Sequence, residues 1–306
     1  MKKYRFILTI FILYIILNMV IFPKVYIDAT LDGISAWAFS VLPCLLPFVF
    51  FTKVLSFLGT MEGLTKGFSR PVYKCFKTPA VSSYVFFMSI ISGYPVGAKM
   101  TADLYNAGKI TRSEAFRMSA FCSTSGPMFI IGAVGSVMMG SPSYGYIMFL
   151  AHVLGAFFNG FLYRNLNTSE LPVEKEDNKA KQDLSSIVLD SVLSIVSVGA
   201  IIAIFFVVIT SLSPLLSLLP APLSTFLAGL VEITRGCIDL SATLNARWAI
   251  VLATFVISFG GLSTCLQSLT MLDKIKMPVW LFVLQKLTHA ILATIIAILL
   301  VLILKI

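Results

Sequence analysis

Long uncharged stretches dominate the pattern of hydrophobic and polar positions along the chain. Three stretches contain no Asp, Glu, Lys or Arg: Met118–Tyr163, Ser191–Val231 and Trp248–Leu272. A transmembrane helix needs about 20 predominantly apolar residues, so the first two stretches are each long enough for about two passes and the third for one. Shorter apolar candidates are Phe6–Phe22, Ile34–Thr52, Thr78–Ala98 and Met277–Leu304. The pattern predicts an all-α polytopic membrane protein with about eight to ten membrane-embedded segments, some of them broken or re-entrant.

Composition supports this fold class and excludes several functions. The chain is 58% hydrophobic and 12% charged, whereas a soluble domain is about a quarter charged. Its net charge of +9 lies largely in short loops beside hydrophobic segments, which is typical of the positive-inside rule and not of nucleic-acid binding. The five cysteines form no Cys-x-x-Cys pair, and most lie in apolar segments. We therefore expect no metal, no disulfide and no cofactor.

The N-terminal residues predict an orientation. Met1–Arg5 is basic and leads into Phe6–Phe22, and no small-residue cleavage site follows, so we interpret this segment as a retained first helix with a cytoplasmic N-terminus. The next stretch, to residue 33, carries Lys24 against two aspartates. Residues 1–33 are therefore predicted to be a transmembrane helix followed by an external loop.

A hydrophilic linker, Asn167–Asp183, separates two halves of similar size, residues 34–166 and 184–306. Each half carries an interrupted hydrophobic run, at Ser92–Lys99 in the first and at Gly229–Gly236 in the second. Gly93 precedes Gly229 by as many positions as Lys99 precedes Arg235. A second pair of interruptions follows downstream, at Ser125–Pro127 and at Gly260–Ser263. Two breaks per half in the same order predict an internal repeat.

Paired helix breaks point to a binding site. Backbone groups freed inside a membrane must be satisfied, so such breaks persist where they line a cavity or meet a ligand. Here the glycines and prolines would shape the breaks, hydroxyls would orient a ligand, and Lys99 and Arg235 would compensate the charge of a small anion. Glu232 would titrate or hold Arg235. The predicted substrate-binding residues are Ser92, Gly93, Tyr94, Pro95, Gly97, Lys99, Ser125, Gly126, Pro127, Glu232, Thr234, Arg235, Gly236, Gly260, Gly261 and Ser263.

Simpler interpretations stand beside this one. Gly-Pro kinks occur in spanning helices that bind nothing, and Lys99 and Arg235 are also in place to snorkel to the membrane interface. His152 and His289 fit either proton coupling or hydrogen bonds between helices. The chain has no HExxH, P-loop or GxSxG motif, so we expect it not to be an enzyme.

The break motifs resemble a known family. The segments SGYPVGAK, CSTSGP, GLVEITRG and FGGLST together are similar to those of the YlbJ/SpoVV group of sporulation integral membrane proteins, within the wider nucleoside recognition, or Gate-domain, superfamily. Glu232 occupies the position of that group's second-half acid, whereas Arg235 stands where related sequences often have a polar residue.

The resemblance implies a function. It implies a transporter that moves a small anionic solute, dipicolinic acid, across the outer forespore membrane of a sporulating bacterium. The alternatives are a non-transporting membrane scaffold for spore envelope (cortex) assembly and a nucleoside-type solute carrier. The expected partners are the lipid bilayer and the solute, with a homo-oligomer possible and no nucleic acid.

Overall fold

The computed structural model describes residues 2–59, 67, 69–169 and 183–306, and these residues form helices and no strand. The helices are α1 (Lys2–Ile21), α2 (Pro23–Ala36), α3 (Leu42–Phe57), α4 (Ser69–Phe76), α5 (Val81–Ser92), α6 (Val96–Asn106), α7 (Arg112–Ser119), α8 (Pro142–Leu162), α9 (Leu184–Leu216), α10 (Ala221–Val231), α11 (Ile233–Thr243), α12 (Ala246–Phe259), α13 (Gly261–Met271) and α14 (Val279–Leu304). Two π-helices, π1 (Trp37–Val41) and π2 (Met128–Met138), and a 3₁₀ turn at Asp273–Ile275 complete the described elements.

The predicted fold class, an all-α polytopic membrane protein, is confirmed. Within the described residues, five helical stretches are long and apolar enough to cross a bilayer: Pro23–Leu55, Pro142–Leu162, Leu184–Leu216, Ala246–Met271 and Val279–Leu304. Four shorter apolar helices accompany them: Arg5–Ile21, Val81–Ser92, Met128–Met138 and Ala221–Val231. Together they fall within the predicted number of membrane-embedded segments. Many large apolar side chains on α1, α9 and α14 are exposed, as lipid-facing surfaces require.

Two predicted segments differ in detail from the structure. Residues 23–33, predicted as an external loop, instead belong to α2, because Pro23 suits the first turn of a helix and no breaker follows it before π1. The candidate segment Thr78–Ala98 contains α5, which has 12 residues. At about 1.5 Å per residue such a helix is too short to cross a bilayer core of about 30 Å.

Residues 170–182 of the predicted linker lie outside the described residues. The part of the linker that is described is anchored, since the Arg112 guanidinium donates to the carbonyl of Ser169 at 3.0 Å. The Ser113 hydroxyl donates to the carbonyl of Thr168 at 3.1 Å. At the far end, Asp183 caps α9 through the amide of Ser186 at 2.7 Å.

The centre of the molecule is a bundle of α8, α12 and α14, with α9 packed on α2 and α3. Small residues bring α8 and α14 close together, because a Cβ on Gly155 would lie 2.8 Å from the Cβ of Ala293. One apolar cluster is centred on the stacked rings of Phe76 and Phe121, with centroids 4.2 Å apart. A second cluster includes Ile250 of α12.

The bundle has two ends, each of which is marked by arginine side chains that donate to backbone carbonyls. At the end we call the basic end, Arg117 donates to the carbonyl of Lys77 at 2.6 Å and Arg164 donates to the carbonyl of Lys74 at 2.8 Å. Arg112 donates there to the carbonyl of Ile275 at 2.9 Å. At the opposite end, Arg247 donates to the carbonyl of Ile306 at 2.7 Å.

Candidate functional site

Both breaks predicted in the first half are present. Helix α5 ends at Gly93, whose φ of +74° is in the region that favours glycine. A cis Tyr94–Pro95 peptide follows before α6 begins. We call this segment break 1. Break 2 is the non-helical segment Ala120–Gly126, which separates α7 from π2.

The second half also contains two breaks. Break 3 is Glu232, whose extended backbone (φ −141°, ψ 122°) separates α10 from α11. Break 4 is Gly260, with a φ of +91°, between α12 and α13. The sequence placed break 3 across Gly229–Gly236. The structure narrows it to Glu232 and puts Gly229 in α10 and Gly236 in α11.

Glycines let the backbones meet within each half. A Cβ on Gly93 would lie 2.6 Å from the amide nitrogen of Gly126, so break 1 packs directly on break 2. A Cβ on Gly236 would lie 2.1 Å from the Cα of Gly229, so these two glycines form the crossing point of the α10–α11 hairpin. Their role is close approach, not interruption of the helix.

The breaks of the two halves also meet each other. A Cβ on Gly260 would lie 3.2 Å from the hydroxyl oxygen of Tyr94, which joins break 4 to break 1. Within the second half, a Cβ on Gly261 would lie 3.3 Å from the carbonyl oxygen of Val231, which joins the start of α13 to break 3. Residues far apart in sequence thus converge on one place.

At this place lies a cavity of about 60 Å³, enough for a few water molecules. Eight of the predicted site residues line it: Ser92, Gly93, Tyr94, Ser125, Gly126, Glu232, Thr234 and Ser263. The lining is completed by Leu45, Phe129, Val198, Ile201, Ile202, Ile233, Thr264 and Gln267.

The other eight predicted residues do not line the cavity: Pro95, Gly97, Lys99, Pro127, Arg235, Gly236, Gly260 and Gly261. Most of these shape the backbone around it. The two predicted cations point elsewhere, because Lys99 is exposed and the guanidinium of Arg235 pairs with Asp239 at 2.7 Å. That guanidinium also lies 5.5 Å from the centroid of the Phe206 ring.

Glu232 is the acid of the cavity. Its side chain is 1% exposed, and its carboxylate accepts a hydrogen bond from the backbone amide of Arg235 at 2.7 Å. The carboxylate therefore caps α11, where the positive end of the helix dipole offsets a negative charge. Glu232 therefore binds the backbone amide of Arg235 and not its side chain, because the guanidinium of Arg235 pairs with Asp239.

Sequence reasoning left the role of one cation open. Lys286 of α14 is 2% exposed; its ammonium donates to the carbonyl of Ser123 at 2.8 Å and to the hydroxyl of Tyr94. The available signal was that Lys286 is the one charged residue in Met277–Leu304. Ionisable residues at membrane depth tend to be functional.

Both histidines join helices. The amide of Ser125 donates to Nε2 of His152 at 2.9 Å, so Nδ1 of a neutral His152 carries the proton that faces Ser258 Oγ at 2.8 Å. His289 Nε2 donates to the carbonyl of His152 at 3.0 Å. These contacts favour the hydrogen-bonding interpretation of His152 and His289 over proton coupling.

Polar side chains donate hydrogen bonds to backbone carbonyls at break 2 and in the last turn of α7 before it. Gln285 donates to the carbonyl of Phe116 at 2.8 Å, and Asn159 donates to the carbonyl of Ala120 at 2.8 Å. Together with Lys286 on the carbonyl of Ser123, they supply the partners that lipid cannot provide. The break is therefore a supported feature of the fold.

Two buried hydroxyls of the cavity lining, those of Thr234 and Ser263, have no hydrogen-bond partner among the described residues. Ser263 is 2% exposed, and its Oγ has no hydrogen bond from any described residue. The neighbouring Thr264 instead donates to the carbonyl of Gly260. A buried hydroxyl without a partner costs free energy unless something else binds it.

The described residues contain no group of three or more His, Cys, Asp or Glu side chains placed to hold a metal ion. The arrangement can present hydroxyls, one carboxyl and backbone groups to a small polar solute.

Comparison with known proteins places the chain in a family. It is 30% identical over 300 aligned residues to the sporulation integral membrane protein YlbJ of Bacillus subtilis (strain 168), covering 84% of this chain and 73% of that relative. No family model matches the chain, and no solved structure matches it. The predicted place in the Gate-domain superfamily and the predicted repeat thus stay predictions. Because the identity to YlbJ extends over most of both proteins, the chain belongs to the YlbJ family of sporulation integral membrane proteins.

Proposed function

We propose that the protein is a membrane transporter that moves a small anionic solute, with dipicolinic acid crossing the outer forespore membrane as the leading substrate. The observation that supports this most is that breaks 1, 2 and 3 line one cavity together with Ser263 and Thr264, which follow break 4 in α13. A chain that served only as a membrane anchor would have no need of non-helical backbone inside the bundle.

The depth of the breaks supports transport. Helix α12 runs 14 residues from the opposite end to break 4, and α13 continues for 11 residues toward the basic end. At about 1.5 Å per residue these two lengths put break 4 near the middle of the bilayer. Transporters bind their substrates near the midplane, at discontinuous helices.

The order of elements supports an inverted repeat. In the first half, the α5–α6 hairpin enters from the basic end and a broken helix (α7, break 2, π2) crosses after it. In the second half, the α10–α11 hairpin enters from the opposite end and a broken helix (α12, break 4, α13) follows. Inverted halves around a central site are typical of carriers that work by alternating access.

The substrate and the location come from the family. The Bacillus subtilis relative is by its name a sporulation integral membrane protein, which supports a role in sporulation for this chain. Dipicolinic acid is a compact aromatic dicarboxylate that such a role implies. The cluster of Lys and Arg at the basic end supports a cytoplasmic orientation of that end, with the N-terminus on the same side.

One observation favours a second candidate, a nucleoside-type solute carrier. Among the described residues that line the cavity, Glu232 is the one with an ionisable acid or base group, apart from the phenol of Tyr94. A buried carboxyl surrounded by hydroxyls and Gln267 suits a neutral solute with many hydrogen-bonding groups.

Uptake into vesicles that contain the purified protein tests the proposal. We expect dipicolinate to accumulate and uridine not to accumulate. Ser263→Ala should slow dipicolinate uptake at least about tenfold, as loss of a buried hydrogen bond to a charged ligand requires. Glu232→Ala should also slow uptake, because it removes the carboxylate that caps α11 at the cavity. Lys109→Met, an exposed cation away from the cavity, is the matched control and should transport normally. Uptake of uridine alone would favour the nucleoside carrier, and uptake of neither solute would favour the non-transporting scaffold.

A further inference from the structure

Lys286 is a buried cation that the site described so far does not use. Its ammonium lies behind the cavity wall, in contact with Tyr94 and with the carbonyl of Ser123. Among the described residues, no carboxylate forms an ion pair with it. A buried charge without a counter-charge is costly, and retaining one in a membrane segment points to a function.

The hydrogen bond between Lys286 and Tyr94 has a fixed direction. An ammonium group only donates, so the phenol oxygen of Tyr94 accepts and its own proton is left for another acceptor. No described residue accepts that proton, and Tyr94 lines the cavity. The bond polarises the Tyr94 hydroxyl, which makes it a stronger donor than an isolated phenol.

A second free hydroxyl lines the same cavity. Tyr94 reaches the start of α13, where its hydroxyl oxygen is 3.2 Å from the position of a Cβ on Gly260. Ser263, in the first turn of α13, lines the same cavity with a buried Oγ that has no protein partner. A strong donor and an unpaired hydroxyl that line one small cavity are suited to the two oxygens of a carboxylate.

We propose that Lys286, Tyr94 and Ser263 form a carboxylate subsite of the cavity. One carboxylate oxygen of the solute accepts from the Tyr94 hydroxyl, Ser263 donates to the other, and Lys286 compensates the charge from behind Tyr94. The inference rests on the proposed anion transport. It identifies Lys286 as the cation that compensates the charge of the solute, a role that Lys99 and Arg235 do not fill. Glu232 lines the same cavity, where its carboxylate is bound by the backbone amide of Arg235 in α11.

The rival role for Lys286 is structural. Its bond to the carbonyl of Ser123 would then serve only to satisfy break 2, as Gln285 and Asn159 satisfy neighbouring carbonyls. Loss of such a contact lowers stability and weakens the binding of every solute by a similar factor. Loss of a charge-compensating group weakens the binding of carboxylates selectively.

A matched pair of ligands distinguishes these roles. Binding of pyridine-2,6-dicarboxylate and of its neutral analogue, pyridine-2,6-dicarboxamide, is measured by calorimetry on the full chain in detergent. We expect Lys286→Met to weaken binding of the dicarboxylate by about ten- to hundredfold, the range for a hydrogen bond to a charged group, and to leave the dicarboxamide nearly unchanged. Lys109→Met is the control for loss of an exposed positive charge.

Tyr94→Phe provides a second variant that removes one oxygen and no charge. Like Lys286→Met, it should reduce the ratio of dicarboxylate affinity to dicarboxamide affinity. The inference therefore stays testable if Lys286→Met does not fold. An unchanged ratio in a folded variant overturns the subsite while leaving anion transport in place. A wild-type chain that binds neither the dicarboxylate nor other anions refutes the proposed function itself, and the subsite with it.

Discussion

Gly97 shows how tightly single residues constrain the breaks. A Cβ at this position would lie 1.7 Å from the carbonyl oxygen of Cys122, a backbone atom of break 2 that has no free rotation by which to escape. We expect Gly97→Ala to lower the free energy of unfolding by about 3 kcal/mol, the upper end for overpacking, and to separate breaks 1 and 2. Thermal unfolding in detergent measures the effect.

The control for this substitution is Gly67→Ala. Gly67 is exposed, and a Cβ there meets no atom of the described part of the chain within 4 Å. Its unfolding midpoint should match that of the unaltered chain. Equal midpoints for the two variants would contradict the packing of break 1 on break 2.

Single residues also show what the sequence reveals about the site and what it conceals. Gly93 and Gly260 were predictable because a positive φ is a local demand that glycine satisfies. The role of Lys286 was not predictable, because it depends on α14 passing behind Tyr94, and no local pattern encodes that contact. For the same reason, the sequence identified Arg235 as a charge near a break but not its pairing with Asp239.

At the scale of elements, one face of α14 supports break 2. Gln285 donates to the carbonyl of Phe116 and accepts from the hydroxyl of Ser119, both at 2.8 Å. Gln285→Leu removes both bonds and leaves the Ser119 hydroxyl and the Phe116 carbonyl only their contact with each other, at 2.9 Å. We therefore expect a loss of about 1–3 kcal/mol in the free energy of unfolding, the net contribution of two hydrogen bonds. Hydrogen exchange should rise most in Ala120–Gly126.

The same helix supplies a matched control. Thr294 is on α14 as well, and its hydroxyl donates to the carbonyl of Ala290 in its own helix. Thr294→Val breaks no contact between elements and should be nearly neutral. If Gln285→Leu is equally mild, the polar face of α14 does not hold break 2 in place.

The cap of α9 gives a pH dependence. The amide and hydroxyl of Ser186 hydrogen-bond to Asp183 and lower the pKa of its carboxyl below the usual value. A lowered pKa stabilises the folded state above the unfolded pKa of about 3.9, and the gain is lost as the pH falls through the folded value. Asp183→Asn keeps a good cap and should remove this dependence. Hydrogen exchange at Leu184–Ile187 between pH 3 and pH 6, about the range in which Asp titrates, measures it.

The elements themselves were largely predictable, for physical reasons that differ along the chain. Uncharged runs predicted the helices of Ser191–Val231 because membrane burial requires apolar length. The rule that membrane helices lack charges gave a wrong assignment for residues 23–33. Two aspartates there led to the prediction of a loop, but the chain is helical through α2 into π1. Charged side chains on the outer face of a helix near the membrane surface do not interrupt it.

For the whole molecule, the orientation of the two ends decides whether the halves are inverted. The α5–α6 hairpin opens at the basic end and the α10–α11 hairpin at the opposite end, so the two ends must lie on different sides of the membrane if the chain is a carrier of alternating access. The positive-inside rule puts the basic end in the cytoplasm.

Labelling with a membrane-impermeant maleimide in intact bacterial cells tests this arrangement. Lys109→Cys marks the basic end, between α6 and α7, and Ser217→Cys marks the opposite end, after α9; both positions are exposed. A Cys75→Ser background removes the half-buried cysteine of α4 at the basic end. We expect Ser217→Cys to react in intact cells and Lys109→Cys to react only after the membrane is permeabilised. Reaction of both variants from one side would put the two hairpins on the same side, and the cavity would then be open to a single compartment and unable to pass a solute between two.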